Sequence, residues 1–150
     1  MTRNHRKIAA CLWLLPFATL VFGQSGSSIA PLPLLSPYPG AEPVKPVPQD
    51  GVNFVRAKQS QYRNVTYALY VTPDPPAKVV EYYRGVLAKA GYPDVKTHEF
   101  SGNIQMAARG AGKRYAEVQA FGPDFPAKLV DPASKQKGKT TVLVWTGTEK

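Results

Sequence analysis

Seven prolines stand at positions 31, 33, 37, 39, 43, 46 and 48. Each fixes its own φ, biases its predecessor toward extended backbone and removes an amide donor, so polyproline II geometry is favoured over a packed helix or sheet. With Ser25, Ser27 and Ser28 ahead of them, residues 24–51 read as a semi-rigid leader. A core must then come from 52–150, about the commonest domain size. Leu32, Leu34, Leu35 and Tyr38 are apolar enough for part of the leader to pack on that domain. Pro43, Val44, Lys45 and Pro46 match a short proline-rich ligand pattern, but most domains that read it are intracellular, and a plain spacer is the simpler reading.

Ahead of the leader, residues 1–7 are basic, 8–22 are apolar, and Val21, Phe22 and Gly23 suit a cleavage site. This three-part pattern is that of a secretory signal peptide over 1–23. A later cut, after Ala30, would leave Pro31 at the new terminus. The apolar run is shorter than the about 18 residues a spanning helix needs, and Pro16 interrupts it, so no transmembrane span is expected once the signal is removed. An uncleaved signal would instead leave the domain anchored. The single cysteine, Cys11, lies inside the apolar run and not at its end, which removes the lipoprotein reading. A mature chain without cysteine has neither disulfides nor thiol chemistry, and fits a bacterial envelope protein better than a small secreted eukaryotic one.

The formal charge is +9, and setting aside Arg3, Arg6 and Lys7 of the signal leaves +6. Such a surplus favours anionic partners through long-range attraction and says nothing about fold.

From residue 52 the composition turns to short β-rich runs, 52–58 and 65–72, which read as a hairpin. Asp74 before Pro75 and Pro76 then reads as an N-cap with proline in the first helical turn. Val79, Tyr82, Tyr83, Val86, Leu87 and Ala90 recur at helical spacing, and Gly91 supplies a left-handed stop. Lys78, Glu81, Arg84 and Lys89 mark the solvated face. Runs 95–100, 103–108 and 114–121 are strand candidates separated by short glycine turns, and 140–146 is a last strand after a polar connection that holds one helical turn at 127–130. The expected fold is α+β: an antiparallel sheet of about five or six strands with one main helix packed on one face.

Pro37, Tyr38, Pro39, Gly40 and Ala41, then Tyr70 to Asp74 leading into Val79, Tyr82, Tyr83, Leu87, Gly91 and Tyr92, resemble a pattern of uncharacterised bacterial exported proteins. In these a strand feeds a helix of the form V-x-x-[FY]-Y followed by L-x-x-x-G-[WY]. The resemblance spans about residues 37–92 and implies fold and compartment, periplasmic or extracellular, with no activity attached.

Motifs that could carry chemistry are few. Residues 133–140 satisfy a relaxed phosphate-loop pattern ending in Gly138, Lys139 and Thr140, but a strand follows where the phosphate-binding helix should open. Arg109, Lys113 and Arg114 surround a glycine turn, and Lys135, Lys137 and Lys139 form a second basic loop; these six are the candidate anion-binding residues. Tyrosines beside arginines offer stacking platforms, yet Tyr82 and Tyr83 belong to the core face and export argues against nucleic acid. His98 is the only histidine after the signal, and on a strand it points away from Glu99, so the two form no acid-base pair. Without cysteine or a second histidine zinc lacks its usual ligands, and no metal, cofactor or catalytic residue is assigned. The expectation is an exported, non-enzymatic module that binds an envelope protein or an anionic polymer. The alternatives are a small hydrolase using dispersed carboxylates such as Glu117 or Asp74, and a structural component of an envelope assembly.

Overall fold

The computed structural model describes residues 34–45, 47–123 and 139–150. The expected signal peptide, the phosphate-loop match up to Gly138, the helical turn at 127–130, Lys135 and Lys137 lie outside them.

The protein is a six-stranded antiparallel open sheet with two helices packed on it, an α+β fold. In chain order the elements are β1 (Glu42–Val44), α1 (Pro48–Gln59), β2 (Tyr62–Thr72), α2 (Pro76–Lys89), β3 (Asp94–Phe100), β4 (Asn103–Gly110), β5 (Arg114–Phe121) and β6 (Thr140–Glu149). Across the sheet the order is β1, β2, β6, β5, β4, β3, so β6 inserts between β2 and β5 while β1 and β3 form the edges. β3 and β4 join through Ser101 and Gly102, both at positive φ, as a two-residue hairpin requires.

α2 forms where the sequence places it. Pro76 opens it, Val79, Tyr83 and Leu87 recur every fourth residue on its buried face, and Val80 joins them. Gly91, at φ +80°, stops it: the Tyr92 amide donates to Leu87 O (3.0 Å) and the Gly91 amide to Ala88 O (3.1 Å). Beneath α2 the alternate residues Ala68 and Tyr70, Val142 and Val144, Ala116, Val118 and Ala120, and Ile104, Met106 and Ala108 form one continuous apolar face. Asp74 is not the N-cap. Pro75 occupies that position without a side-chain cap. The Asp74 carboxylate instead accepts from Tyr38 Oη (2.8 Å) and Lys78 Nζ (2.9 Å), which hold its pKa below the ordinary carboxylate value.

The N-terminal side differs most from the sequence expectation. Residues 52–58 are not a strand, and no hairpin pairs them with β2; they belong to α1, and the expected boundary between Gly51 and Val52 falls inside this helix. Pro48 at the first helical position, Asp50 in the first turn and Arg56 and Lys58 in the last agree with the helix dipole. The less exposed positions 47, 50, 51, 54, 55 and 58 carry the helical period, which the apolar letters alone obscure because the outward Val52 is 52% exposed. Leader residues also enter the domain. Leu35 and Tyr38 are buried against α2, and β1 pairs with β2.

The two helices lie on opposite faces. Leu69 and Leu143, with Phe121, form a second small core that Val44, Phe54 and Tyr67 cover, so α1 sits on the far side of the sheet from α2.

Candidate functional site

The two basic loops do not converge. Arg114 pairs with Thr148 across β5 and β6, whereas Phe121 pairs with Thr141, so Lys139, just before β6, lies at the other end of the sheet from the Arg109 turn. Seven residues of strand separate these pairs, about 24 Å. Each described cation of the two loops also has an internal partner. Arg109 Nε donates to Glu149 Oε1 (3.0 Å), Lys113 Nζ to the Lys150 carbonyl (3.1 Å) and Lys139 Nζ to Glu42 Oε2 (3.2 Å). Arg114 donates to the carbonyls of Ala111 (3.2 Å), Ala90 (3.4 Å) and Gly91 (3.2 Å), and its guanidinium stacks 5.0 Å from the Tyr92 ring. It thereby caps the C-terminus of α2, where orphan carbonyls and the helix dipole favour a cation. Arg109 and Lys113 remain exposed, and surface pairs of this kind contribute at most about 1 kcal/mol, so a polyanion could exchange with their partners.

The two carboxylates of the hydrolase alternative are also apart. Asp74 joins Tyr38 on the α2 side, while Glu117 shares the α1 face with Trp145, its partner across the β5–β6 ladder. They cannot act on one bond. Among the described residues no group of three or more His, Cys, Asp or Glu side chains could hold a metal ion.

The concentrated chemistry lies under α1. Glu117 is 2% exposed; its carboxylate accepts from Tyr115 Oη (3.0 Å) and from Gln119 Nε2, with Lys58 Nζ of α1 3.8 Å away. Lys58 stands 4.4 Å from the centroid of Trp145 and 5.6 Å from that of Phe54. Tyr62, Tyr115 and Trp145 pack together with ring centroids 4.9 to 5.0 Å apart, and Phe54 closes the group 6.3 Å from Trp145. Three strands and one helix contribute to this cluster. The Trp145 and Phe54 faces carry the negative side of their quadrupoles toward the ammonium, and the carboxylate supplies the formal counter-charge. Burial, and then the neighbouring Glu117 charge, push the Tyr115 hydroxyl above its ordinary pKa; burial and Glu149 do the same to Tyr62. Both stay protonated at neutral pH, and Tyr115 donates to Glu117. Sequence reading singled out Glu117 as a carboxylate and, separately, Tyr62 and Tyr115 as tyrosines beside arginines, but not their association, because residues 54, 58, 62, 115 and 145 come together only through the fold.

The outer half of the same face is open. Lys96, His98 and Phe100 of β3 are exposed, with His98 and Phe100 stacked 5.9 Å apart; Arg109 of β4 is exposed on the same face at the other end of the hairpin, where it pairs with Asp94. Depressions among the described residues are open: about 430 Å³ between α2 and β3, lined by Val80, Glu81, Arg84, Thr97, Glu99 and Ile104 among others, about 440 Å³ beside Leu34, Tyr82 and Val86, and about 380 Å³ between α1 and Tyr67. No helix among the described residues is long and apolar enough to cross a membrane. Searches of protein-family models, curated proteins and solved structures find no significant match to this chain.

Proposed function

We propose that the chain is an exported, non-enzymatic module of the bacterial envelope or medium that binds a protein partner or an anionic polymer. The observation that carries the reading is the open half of the α1 face: Lys96, His98 and Phe100 project from an edge strand, and Arg109, opposite Asp94, and Lys113 at the adjoining turn extend the face beyond Lys96. An exposed aromatic pair beside Lys96, on a face that runs on to Arg109 and Lys113, offers flat contact area and charge attraction along its length, which suits an extended or polymeric ligand better than a small molecule. The net positive charge after removal of the basic N-terminal segment acts in the same direction. Two depressions among the described residues are open and suit surface contact more than enclosure of a substrate.

The test is retention of the natively expressed protein on immobilised anionic envelope polymer, with a parallel pull-down for protein partners. Salt-sensitive retention that falls in Lys96→Glu and Lys113→Glu supports the polymer arm. A partner whose capture these variants weaken supports the protein arm. No retention and no partner overturns the proposal.

The free β3 edge favours a second reading, a structural component of an assembly, because unpaired strand amides and carbonyls accept another strand. That role would give a stable stoichiometric complex indifferent to salt.

A further inference from the structure

The geometry points to a binding site for an organic ammonium cation beneath α1, in which Lys58 is a tethered resident that an external cation displaces. Aromatic faces beside a buried carboxylate are the chemistry that recognises ammonium groups; here Trp145 and Phe54 present their faces, Glu117 supplies the charge, and Tyr62 and Tyr115 pack against Trp145. The Lys58 ammonium already fills the place such a ligand would take, 4.4 Å from the Trp145 ring and 3.8 Å from Glu117. Remove that ammonium and Glu117 is left as a buried charge whose side chain is 3% exposed, a state that strongly favours any cation able to enter.

Two further observations separate a displaceable occupant from a fixed staple. The first is that α1 is lightly held: Gly51 is its only buried residue, its N-terminus has no side-chain cap, and a glycine sits within its first two turns. The second is that the Lys58 side chain is 28% exposed, so the route from solvent to the ring faces runs along it. The neighbouring charges do not oppose entry, because Arg109 is engaged by Glu149 and the described carboxylates Glu117 and Glu149 balance Arg109 and Lys58. Displacing Lys58 therefore conserves the local charge when the incoming ligand is a monocation. α1 remains tied at both ends by β1 and β2, so opening is a local lift of the helix and not loss of the fold.

The site is distinct from the open face proposed above for polymers and does not depend on it. The probe is tetramethylammonium chloride, titrated at constant ionic strength against sodium chloride into the natively expressed protein carrying Trp13→Phe, which leaves Trp145 as its only indole. Lys58→Ala is expected to give a saturable change in Trp145 fluorescence, with an apparent Kd at least about tenfold lower than in the Lys58 parent, because no tethered ammonium competes. Adding Glu117→Gln to Lys58→Ala should abolish it. A folded Lys58→Ala protein that responds to tetramethylammonium no differently from sodium overturns the inference. Should Lys58→Ala not fold, amide hydrogen exchange of the unsubstituted protein decides: faster exchange over 48–59 with tetramethylammonium than with sodium supports displacement, and unchanged exchange overturns it.

Discussion

Lys58 and Glu117 should be energetically coupled, and a double-mutant cycle with Lys58→Ala and Glu117→Gln measures by how much. At 3.8 Å, and with an effective dielectric of about 20, the pair attracts by about 4 kcal/mol before desolvation. Much of this is offset, since the carboxylate is nearly fully buried and the ammonium, 28% exposed, is partly screened. The coupling that survives is expected to be about 1–2 kcal/mol. Lys58→Ala alone also loses the contact with the Trp145 face and strands the carboxylate, so it should cost about 2–3 kcal/mol. Glu117→Gln alone should cost about 1 kcal/mol, because the amide oxygen still accepts from Tyr115 and Lys58 keeps its ring faces and solvent. The double variant should then be less destabilised than the two singles together. Urea unfolding followed by Trp145 fluorescence in the Trp13→Phe background reads all four corners, and the m-value should stay constant if only stability changes. Additive effects, within about 0.3 kcal/mol, would show that the ammonium does not interact with the carboxylate and would refute the electrostatic account of how α1 is held.

Three further outcomes follow from named contacts. Arg114→Ala should lower stability by about 1–2 kcal/mol, read as a fall of about 4–16 °C in Tm, and Arg114→Lys should not restore it because a point ammonium cannot span three carbonyls and lie on Tyr92. Gly85→Ala, where an added Cβ meets nothing within 4 Å inside α2, should stabilise by about 0.5–1 kcal/mol, whereas Gly110→Ala, whose Cβ would lie 2.9 Å from the Gly91 carbonyl, should destabilise; equal Tm shifts would contradict this. Asp74 has a folded pKa below its unfolded one, so its contribution is complete above the ordinary carboxylate range and is lost as pH falls through the folded value; Asp74→Asn should flatten that part of the acid-unfolding profile, and an unchanged profile would contradict the assigned contacts.

The sequence carries α2 except for its N-cap: proline at its start, a four-residue recurrence of buried positions and Gly91 at its end are all local signals. The strands from β2 to β6 are equally local, since Val, Tyr, Ile and Thr alternate between glycine turns. α1 is not legible in the same way. Its period runs through Gly51, Phe54, Val55 and Lys58, of which only two are apolar, while the outward Val52 mimics strand composition; Pro46 and Pro48 suggest a leader where Pro48 in fact opens a helix. The six candidate cations were visible by type, but that Arg114 caps α2 and that Lys139 lies at the far end of the sheet depend on strand order, which no local pattern encodes. Glu117 was visible only as one candidate carboxylate among several, and its burial against Lys58 and Trp145 required the insertion of β6 between β2 and β5.

The most direct test of the proposed binding role is an NMR titration of the protein with polyphosphate at two salt concentrations. Salt-sensitive amide shifts clustered on Lys96, His98, Phe100, Arg109 and Lys113 are predicted. An unperturbed spectrum, or shifts confined to the Lys139 end of the sheet, would contradict a binding surface on the open face.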